Sequence, residues 1–320
     1  SSMLNDLEFD SKNFPTIIVN DGSVQTLPDA EAWAADNKTQ IKKELTITGA
    51  VLFRGFPITD ATSYDDFFSA FGYENFTYQE SLSNAVRINH TERVFTANEA
   101  PKNIEIYLHN EMAQTPFYPN IISLFCESAA EKGGETILCR SDFIYEKLHS
   151  KEPELTEKLE QAGVKYTTLM PLTDDPETGQ GRSWKGTLSV SSVSEAEKKL
   201  KTLGYVWQWM DDGSLKAQTA ALPAIRSLDD GRKVFFNQII AAYSGWKGVK
   251  ENPSSALCFG DNTDFSKDLL DTIVDIAKQH SYNLPWQDGD VAVVNNNLAM
   301  HGRLPFSGDR KRKVLVVLGR

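Results

Sequence analysis

Two short segments carry residues that could bind one metal ion. His109 and Glu111 lie in the segment 107–112, and His301 lies in the segment 297–303. Because residues i and i+2 of a β-strand project from the same face, His109 and Glu111 could offer an imidazole and a carboxylate to one ion. Two histidines and one carboxylate form the facial triad that binds iron(II). The same ligands also suit catalytic zinc, so the ligands alone leave the metal undecided.

The chain has five histidines, and the other three have ordinary explanations. His149 and His280 each fall at the end of a segment with helical spacing, where an imidazole can interact favourably with the helix dipole. His90 follows a predicted strand at 86–89. The pattern therefore favours His109 and His301 as the metal-binding pair.

An arginine and a threonine supply a candidate anion site. Arg312 precedes the apolar strand 314–318, where a charge is costly to bury unless it meets an anion. Its planar guanidinium fits a carboxylate through two hydrogen bonds. Thr136 follows a double-glycine turn, and its hydroxyl could donate to the same carboxylate. Each residue has an ordinary alternative, since Arg312 could pair with Asp309 and Thr136 could be a plain strand residue.

Taken together, these residues resemble a known family. The order His109-x-Glu111, Thr136, His301 and Arg312 is similar to that of the taurine dioxygenase/clavaminate synthase-like superfamily, and the resemblance spans about residues 45–318. Other stretches that resemble the family are 52–56 (LFRGF), 108–113 (LHNEMA), 125–136, 181–184 (GRSW), 236–238 (FNQ), 286–290 (WQDGD) and 301–306 (HGRLPF).

The resemblance implies a mainly β fold with helical insertions, built on a double-stranded β-helix (jelly-roll, cupin-like) core. It implies that His109, Glu111 and His301 bind Fe(II). It also implies that Thr136 and Arg312 bind the distal carboxylate of 2-oxoglutarate, the co-substrate that reacts together with O2.

Residues 111 and 316 indicate which branch of this superfamily the chain resembles. The glutamate ligand Glu111 favours the clavaminate synthase-like branch, because taurine dioxygenase has aspartate there. Val316 stands where taurine dioxygenase has a second arginine for the sulfonate, so an alkylsulfonate substrate is not expected.

The expected reaction is oxidation of an unactivated C–H bond in a small amino-acid-like or carboxylated metabolite, with succinate and CO2 as co-products. The outcome could be hydroxylation, desaturation or cyclisation, for example kainoid-type ring closure. The candidate substrate residues are Arg182, Asn237, Gln238 and Trp246, each of which could equally be a loop or core residue. Two alternatives stay open on the ligands alone: a zinc hydrolase with the same site, and a non-catalytic binding protein on this scaffold.

Composition excludes several other classes. The 320 residues have a net charge of −11, and no basic surface typical of nucleic-acid binding stands out. The three cysteines show no CxxC spacing, which favours a reducing compartment. The sequence has no apolar run long enough to span a membrane. Its first residues, Ser1-Ser2-Met3, are typical of a cloning remnant before a start methionine and not of a signal peptide. We therefore expect a cytoplasmic enzyme. An organellar leader ahead of this sequence and the oligomeric state stay open.

The sequence has no internal repeat, low-complexity tract or linker, which predicts one domain over residues 1–320 with loops or insertions at about 174–186 and 240–262 near the active site. Helices are predicted at 29–46, 62–71, 153–161, 194–203 and 265–280. Short strands are predicted at 49–56, 86–89, 106–109, 121–126, 136–139, 164–168, 188–190, 205–209, 234–236, 291–295 and 314–318.

Overall fold

Short antiparallel strands and covering helices make up the chain. The computed structural model describes residues 2–5, 14–77, 82–83, 87–178 and 181–320. The helices are α1 Ser2–Asn5, α2 Leu27–Thr48, α3 Ala61–Ser69, α4 Ser141–Lys151, α5 Pro153–Ala162, α6 Trp184–Leu188, α7 Val193–Leu203, α8 Ile239–Gly245 and α9 Lys267–Gln279, with a 3-10 turn at Pro253–Ser255. The first strands are β1 Thr16–Val19, β2 Ala50–Arg54, β3 Phe95–Thr96, β4 Ile106–His109, β5 Ile121–Ser128, β6 Lys132–Gly133, β7 Thr136–Arg140, β8 Val164–Met170 and β9 Val206–Trp209. The remaining strands are β10 Leu215–Gln218, β11 Ile225–Ser227, β12 Lys233–Phe235, β13 Leu257–Phe259, β14 Ser281–Leu284, β15 Val291–Asn295, β16 Ala299–Arg303, β17 Phe306–Ser307 and β18 Lys313–Gly319.

Two sheets form the centre of the fold. A six-stranded sheet has the order β1-β2-β15-β5-β18-β3, and a four-stranded sheet has the order β14-β7-β16-β4. Apart from the parallel pair β1–β2, all neighbours in these two sheets are antiparallel. A second four-stranded sheet, β13-β8-β10-β9, lies beside them. The structure is therefore a mixed helix and sheet fold with many antiparallel strands.

Alternation along the strands explains how the layers pack. Leu52 of β2 packs between the two central sheets, together with residues such as Leu138 of β7. Its neighbour Phe53 points to the other side, where helices α2 and α3 cover the six-stranded sheet. Helices α4, α8 and α9 cover the outer face of the four-stranded sheet in the same way. Since successive side chains of a strand face opposite sides, each strand contributes to two hydrophobic layers.

Three expectations from the sequence differ from the structure or fall partly outside the described residues. The predicted strand 188–190 is wrong: Leu188 ends helix α6, which begins where the Ser183 hydroxyl accepts a hydrogen bond from the Gly186 amide. In the predicted strand 86–89, Val86 lies outside the described residues, and Asn89 forms only an isolated bridge with Phe95. The expected loop 240–262 contains most of α8 and all of β13.

Among the described residues, no helix combines the length and apolarity required to cross a bilayer.

The aromatic cluster behind β2 gives a test of this packing. Phe53 is fully buried, with its ring centroid 5.3 Å from Phe71 and 5.6 Å from Phe67. Phe53→Ala leaves a cavity, so we expect the free energy of unfolding in urea to fall by about 3–5 kcal/mol. Ile17→Ala on β1, where the side chain is 40% exposed, is the control and should cost less than about 1 kcal/mol. Equal losses for the two variants would contradict the layer assignment.

Candidate metal centre and its two cavities

The three residues selected from the sequence meet at the edge of the smaller central sheet. Strands β4 and β16 are antiparallel neighbours, and His109 lies directly opposite His301 in their register. Glu111 follows β4 by two residues. Between His301 and Arg303 the register shifts, and a Cβ on Gly302 would lie 2.4 Å from the carbonyl oxygen of Ile106. Only glycine therefore allows β4 to approach β16 this closely.

The donor atoms of these residues surround a common point. Glu111 Oε1 lies 3.6 Å from His109 Nε2 and 3.7 Å from His301 Nε2. The ligand atoms of the group all lie within 4.8 Å of one another. Two imidazole nitrogens and one carboxylate oxygen at this spacing fit a divalent transition metal and leave the opposite coordination positions free.

The protonation states of this group also fit a metal. Burial lowers the pKa of His301 to about 3, so its imidazole is neutral at physiological pH. Burial raises the pKa of Glu111, but the Arg87 charge and the two histidines outweigh it and hold the pKa below its ordinary value. His109 Nδ1 lies 2.8 Å from the carbonyl oxygen of Tyr107. Because a carbonyl only accepts, Nδ1 is the donor of this contact, and Nε2 is the ring nitrogen that faces the common point.

A buried arginine supports the carboxylate. Arg87 Nη2 lies 3.2 Å from Glu111 Oε2, and both side chains are almost fully buried. The Arg87 guanidinium also lies 5.2 Å from the centroid of the Phe95 ring. Without this cation, an ionised carboxylate in such a place would be strongly disfavoured.

Buried amides fix the turn that carries Glu111. The Asn296 side chain accepts from the Glu111 amide at 2.7 Å and donates to the carbonyl oxygens of Glu111 and Pro119. Asn110 donates to the Asn296 carbonyl oxygen and accepts from the Asn237 amide. These bonds stabilise a turn in which Met112 has a φ of 58°, a left-handed conformation that a non-glycine residue rarely adopts.

A small cavity of about 60 Å³ lies between the two central sheets, next to His109 and His301. Thr136 and Arg312 both line it, as the anion-site prediction requires. Arg312 donates from Nε to the Gly134 carbonyl oxygen, and among the described residues it forms no ion pair with Asp309 or any other acid. Burial, and then the nearby charge of Arg303, lower the pKa of Arg312 to about 10, so it stays a cation at neutral pH.

Two further contacts shape the small cavity. The Trp286 indole donates to the Thr136 hydroxyl at 2.8 Å, which leaves the hydroxyl hydrogen free to point at a ligand. Val316 lines the cavity as an apolar residue.

A larger cavity of about 830 Å³ opens on the other side of the metal centre. Arg87 and His109 line both cavities, so the two spaces meet at the metal centre. The walls are mainly apolar and include Tyr107, Met112 and Trp246. The acidic residues of the lining are Glu105, Glu111, Asp175, Glu177 and Asp212. The basic residues of the lining are Arg87, Lys216 and Lys247.

Two of the four candidate substrate residues line the large cavity, and the other two do not. Gln238 and Trp246 line the large cavity. Asn237 is fully buried, and its amide group bonds to the backbone of Ala224 and Ile239 rather than to the cavity. Arg182 donates to the Ser83 carbonyl oxygen and is not part of the cavity lining. The predicted loops around residues 174–186 and 240–262 do contribute lining residues, among them Asp175, Gly181 and Val249.

Sequence reasoning missed Arg87, Asn296, Gln114 and Arg303 as parts of this region. Arg303 lines the small cavity, and its guanidinium holds the loop before β4 through the carbonyl oxygens of Ala100, Pro101 and Ile104. The only sign of their role in the sequence was their closeness to the metal ligands. Arg303 and Asn296 lie near His301, and Gln114 follows Glu111 by three residues. Position does not reveal which side chains point toward the metal centre.

Comparisons with known proteins agree with this geometry. The family described as taurine catabolism dioxygenase TauD, TfdA matches residues 21–318. A clavaminate synthase-like protein of Arabidopsis thaliana is 35% identical over 316 residues, which cover 97% of this chain and 94% of that protein. The dapdiamide synthesis protein DdaC of Enterobacter agglomerans is 26% identical, over 87% of this chain and 84% of that protein.

Solved structures show the same fold. The PvcB protein from Pseudomonas aeruginosa has a TM-score of 0.56 at 14% identity, over 95% of this chain and 85% of that one. A taurine dioxygenase from Burkholderia xenovorans has a TM-score of 0.52 at 14% identity, over 95% of this chain and 86% of that one. At this identity the likeness concerns the fold alone.

The Asn296 contacts can be tested by an isosteric change. Asn296→Leu leaves the Glu111 amide and two carbonyl oxygens without their buried partner, so we expect the free energy of unfolding in urea to fall by about 2–4 kcal/mol. Asn283→Leu, on the exposed side of β14, should change it by less than about 0.5 kcal/mol. A loss for Asn296→Leu no larger than the control's would show that the amide does not hold the turn.

Proposed function

Because the chain belongs to the taurine catabolism dioxygenase TauD, TfdA family and is therefore a 2-oxoglutarate-dependent dioxygenase, we propose that His109, Glu111 and His301 hold its iron(II). The observation that supports this most directly is the convergence of their three donor atoms within 4.8 Å. The family membership decides against the zinc hydrolase and the non-catalytic binding protein, which the ligand types alone had left open.

The small cavity is the proposed site for the distal carboxylate of 2-oxoglutarate. Arg312 would bind this carboxylate through its free guanidinium nitrogens, and Thr136 would donate its hydroxyl hydrogen. The Nε contact with the Gly134 carbonyl oxygen orients the guanidinium before the anion arrives. A cation without a carboxylate partner among the described residues is the feature that favours a ligand acid here.

We assign the core to a double-stranded β-helix. The support is the pair of opposed antiparallel sheets, with the metal centre and the small cavity between them at one end. The whole chain from residue 1 to residue 320 would then form one oxygenase domain, with helices α4–α7 and α9 as insertions or covers.

The substrate would occupy the large cavity, where the reacting carbon can approach the metal centre from the side opposite Thr136 and Arg312. When bound, iron(II) with 2-oxoglutarate and O2 supplies the oxidising power for an unactivated C–H bond, with succinate and CO2 as co-products. The protein's own residues bind the co-substrate in the small cavity and orient the substrate against Trp246 and Gln238.

The substrate class follows from the cavity and the relatives. We propose a small amino-acid-like or carboxylated metabolite in a specialised biosynthetic pathway, with hydroxylation, desaturation or oxidative cyclisation such as kainoid-type ring closure as the outcome. Relatives named for clavaminate synthase and for dapdiamide synthesis support a biosynthetic role. The apolar Val316 in the small cavity argues against an alkylsulfonate.

Anaerobic spectroscopy tests the metal site. Protein mixed with iron(II) and 2-oxoglutarate should develop a visible charge-transfer band, and His301→Ala should abolish it because one of three ligands is lost. His90→Ala, in an exposed turn, is the control and should keep the full band. A band of unchanged intensity in His301→Ala would overturn the ligand assignment.

Two neighbouring arginines test the co-substrate site. Arg312→Ala removes two charge-assisted hydrogen bonds, so the KM for 2-oxoglutarate should rise by roughly 100-fold, equivalent to about 3 kcal/mol. Arg310→Ala is a matched control, because Arg310 is half-exposed and pairs with Asp288, and its KM should change by less than about threefold. Succinate formation measures both values, and equal effects would argue against the Arg312 site.

A further inference from the structure

We propose that Gln114 recognises the substrate and that the substrate presents a carboxamide or peptide-like amide to it, rather than a carboxylate. This inference rests on the proposed function, since it concerns the large cavity of the same site. It narrows the substrate class to an amide-bearing, amino-acid-like molecule.

Gln114 differs from every other buried amide around the metal centre. The side chains of Asn110, Asn237, Gln238 and Asn296 all form hydrogen bonds with backbone groups. Gln114 is only 7% exposed and lines the large cavity, yet its Oε1 is buried without a hydrogen-bond partner among the described residues. An amide that served only to hold the turn would bond to the backbone, as its neighbours do.

An unfilled buried amide points to a ligand. Leaving a buried polar group unpaired destabilises the folded protein, and a substrate that supplies the missing partner would recover that loss on binding. Oε1 itself has almost no accessible surface, so the amide end group of Gln114 would turn about its terminal bond to bring Oε1 to the cavity. There a primary or secondary amide offers a donor for Oε1 and an acceptor for the Nε2 hydrogens of the same side chain. The position of Gln114, three residues after Glu111 on the fixed turn, places this contact in the cavity that the metal centre shares.

The charge of the cavity favours a neutral group over an anion. Five acidic and three basic side chains line the cavity, an excess of two negative charges. A divalent metal and a doubly charged keto diacid cancel each other, so the bound cofactors leave this excess in place. A carboxylate could accept from Gln114 Nε2 but would leave Oε1 without a donor, whereas an amide satisfies both atoms.

The size and walls of the cavity fit the rest of such a molecule. A volume of about 830 Å³ is within the range typical of whole-ligand pockets. Tyr107, Met112 and Trp246 offer apolar surface for a carbon chain, so an acylated amino acid or a dipeptide-like molecule matches the cavity. The zwitterionic ends of such a molecule can reach the charged residues of both signs in the lining.

A stability experiment tests the unpaired amide without any ligand. Gln114→Leu should raise the Tm of the protein by roughly 2–4 °C, because an apolar group replaces a buried polar group that lacks a partner. Gln238→Leu is the matched control: Gln238 is also 7% exposed and lines the same cavity, but its amide donates to the Asn110 carbonyl oxygen, so its Tm should fall. Gln114→Met provides a second apolar variant. A fall in Tm for both Gln114 variants would overturn the proposal.

A binding experiment tests the substrate class. Matched probes, L-asparagine with L-aspartate and alanylglutamine with alanylglutamate, are titrated anaerobically into the iron(II)–2-oxoglutarate complex while its charge-transfer band is followed. At least one amide should perturb the band and bind about 10-fold more tightly than its matched acid, and Gln114→Leu should remove this preference. Tighter binding of the acids, or no effect of any amide, would overturn the proposal. Formation of the band in the unmodified protein before any probe is added reports on the proposed function separately.

Discussion

The burial of the Glu111 carboxylate between two imidazoles is the constraint on which the rest of the site depends. A buried anion is tolerated only with a cation and hydrogen bonds around it, and Arg87 supplies the cation. The backbone on either side of Glu111 is held by Asn296, whose own strand hairpin also carries His301. The carboxylate, its counter-charge and one imidazole are thus fixed by the same few residues, and any ion bound there meets preset ligands.

The layered fold separates two tasks on the two sides of this centre. The small cavity lies between the central sheets and has Arg312 beside the hydroxyl of Thr136, with Arg87 and Arg303 also in its lining. The large cavity is lined by β4 of the four-stranded central sheet and by loops, α8 and strands β8 and β10, which lie outside the two central sheets. The small cavity between the sheets is rigid and suits the co-substrate, whose structure is fixed. The large cavity, with its loops, suits the substrate, which is the part of the reaction that can vary.

Much of this could be predicted from the sequence, and the reasons for the failures are physical. The strands β4 and β15 fall where apolar runs between breaker residues predicted them, and the metal triad and the Thr136–Arg312 pair do come together as their motifs indicated. The predicted strand at 188–190 was wrong because the three residues Leu188, Ser189 and Val190 are too few to show a period, and the Ser183 cap starts a helix that ends at Leu188. Arg87 and Gln114 could not be recognised, because their importance comes from contacts between distant segments that no local pattern records.

The pairing of His109 with His301 also bears on the stability of the fold. These residues face each other on adjacent strands, so an ion bound to both would tie β4 to β16 in the folded chain only. An ion that binds the folded state but not the unfolded chain adds its binding free energy to the stability of the fold, by about 1.4 kcal/mol for each tenfold excess over its dissociation constant. Because of these two imidazoles, the stability of the whole domain, as well as its chemistry, depends on the availability of metal.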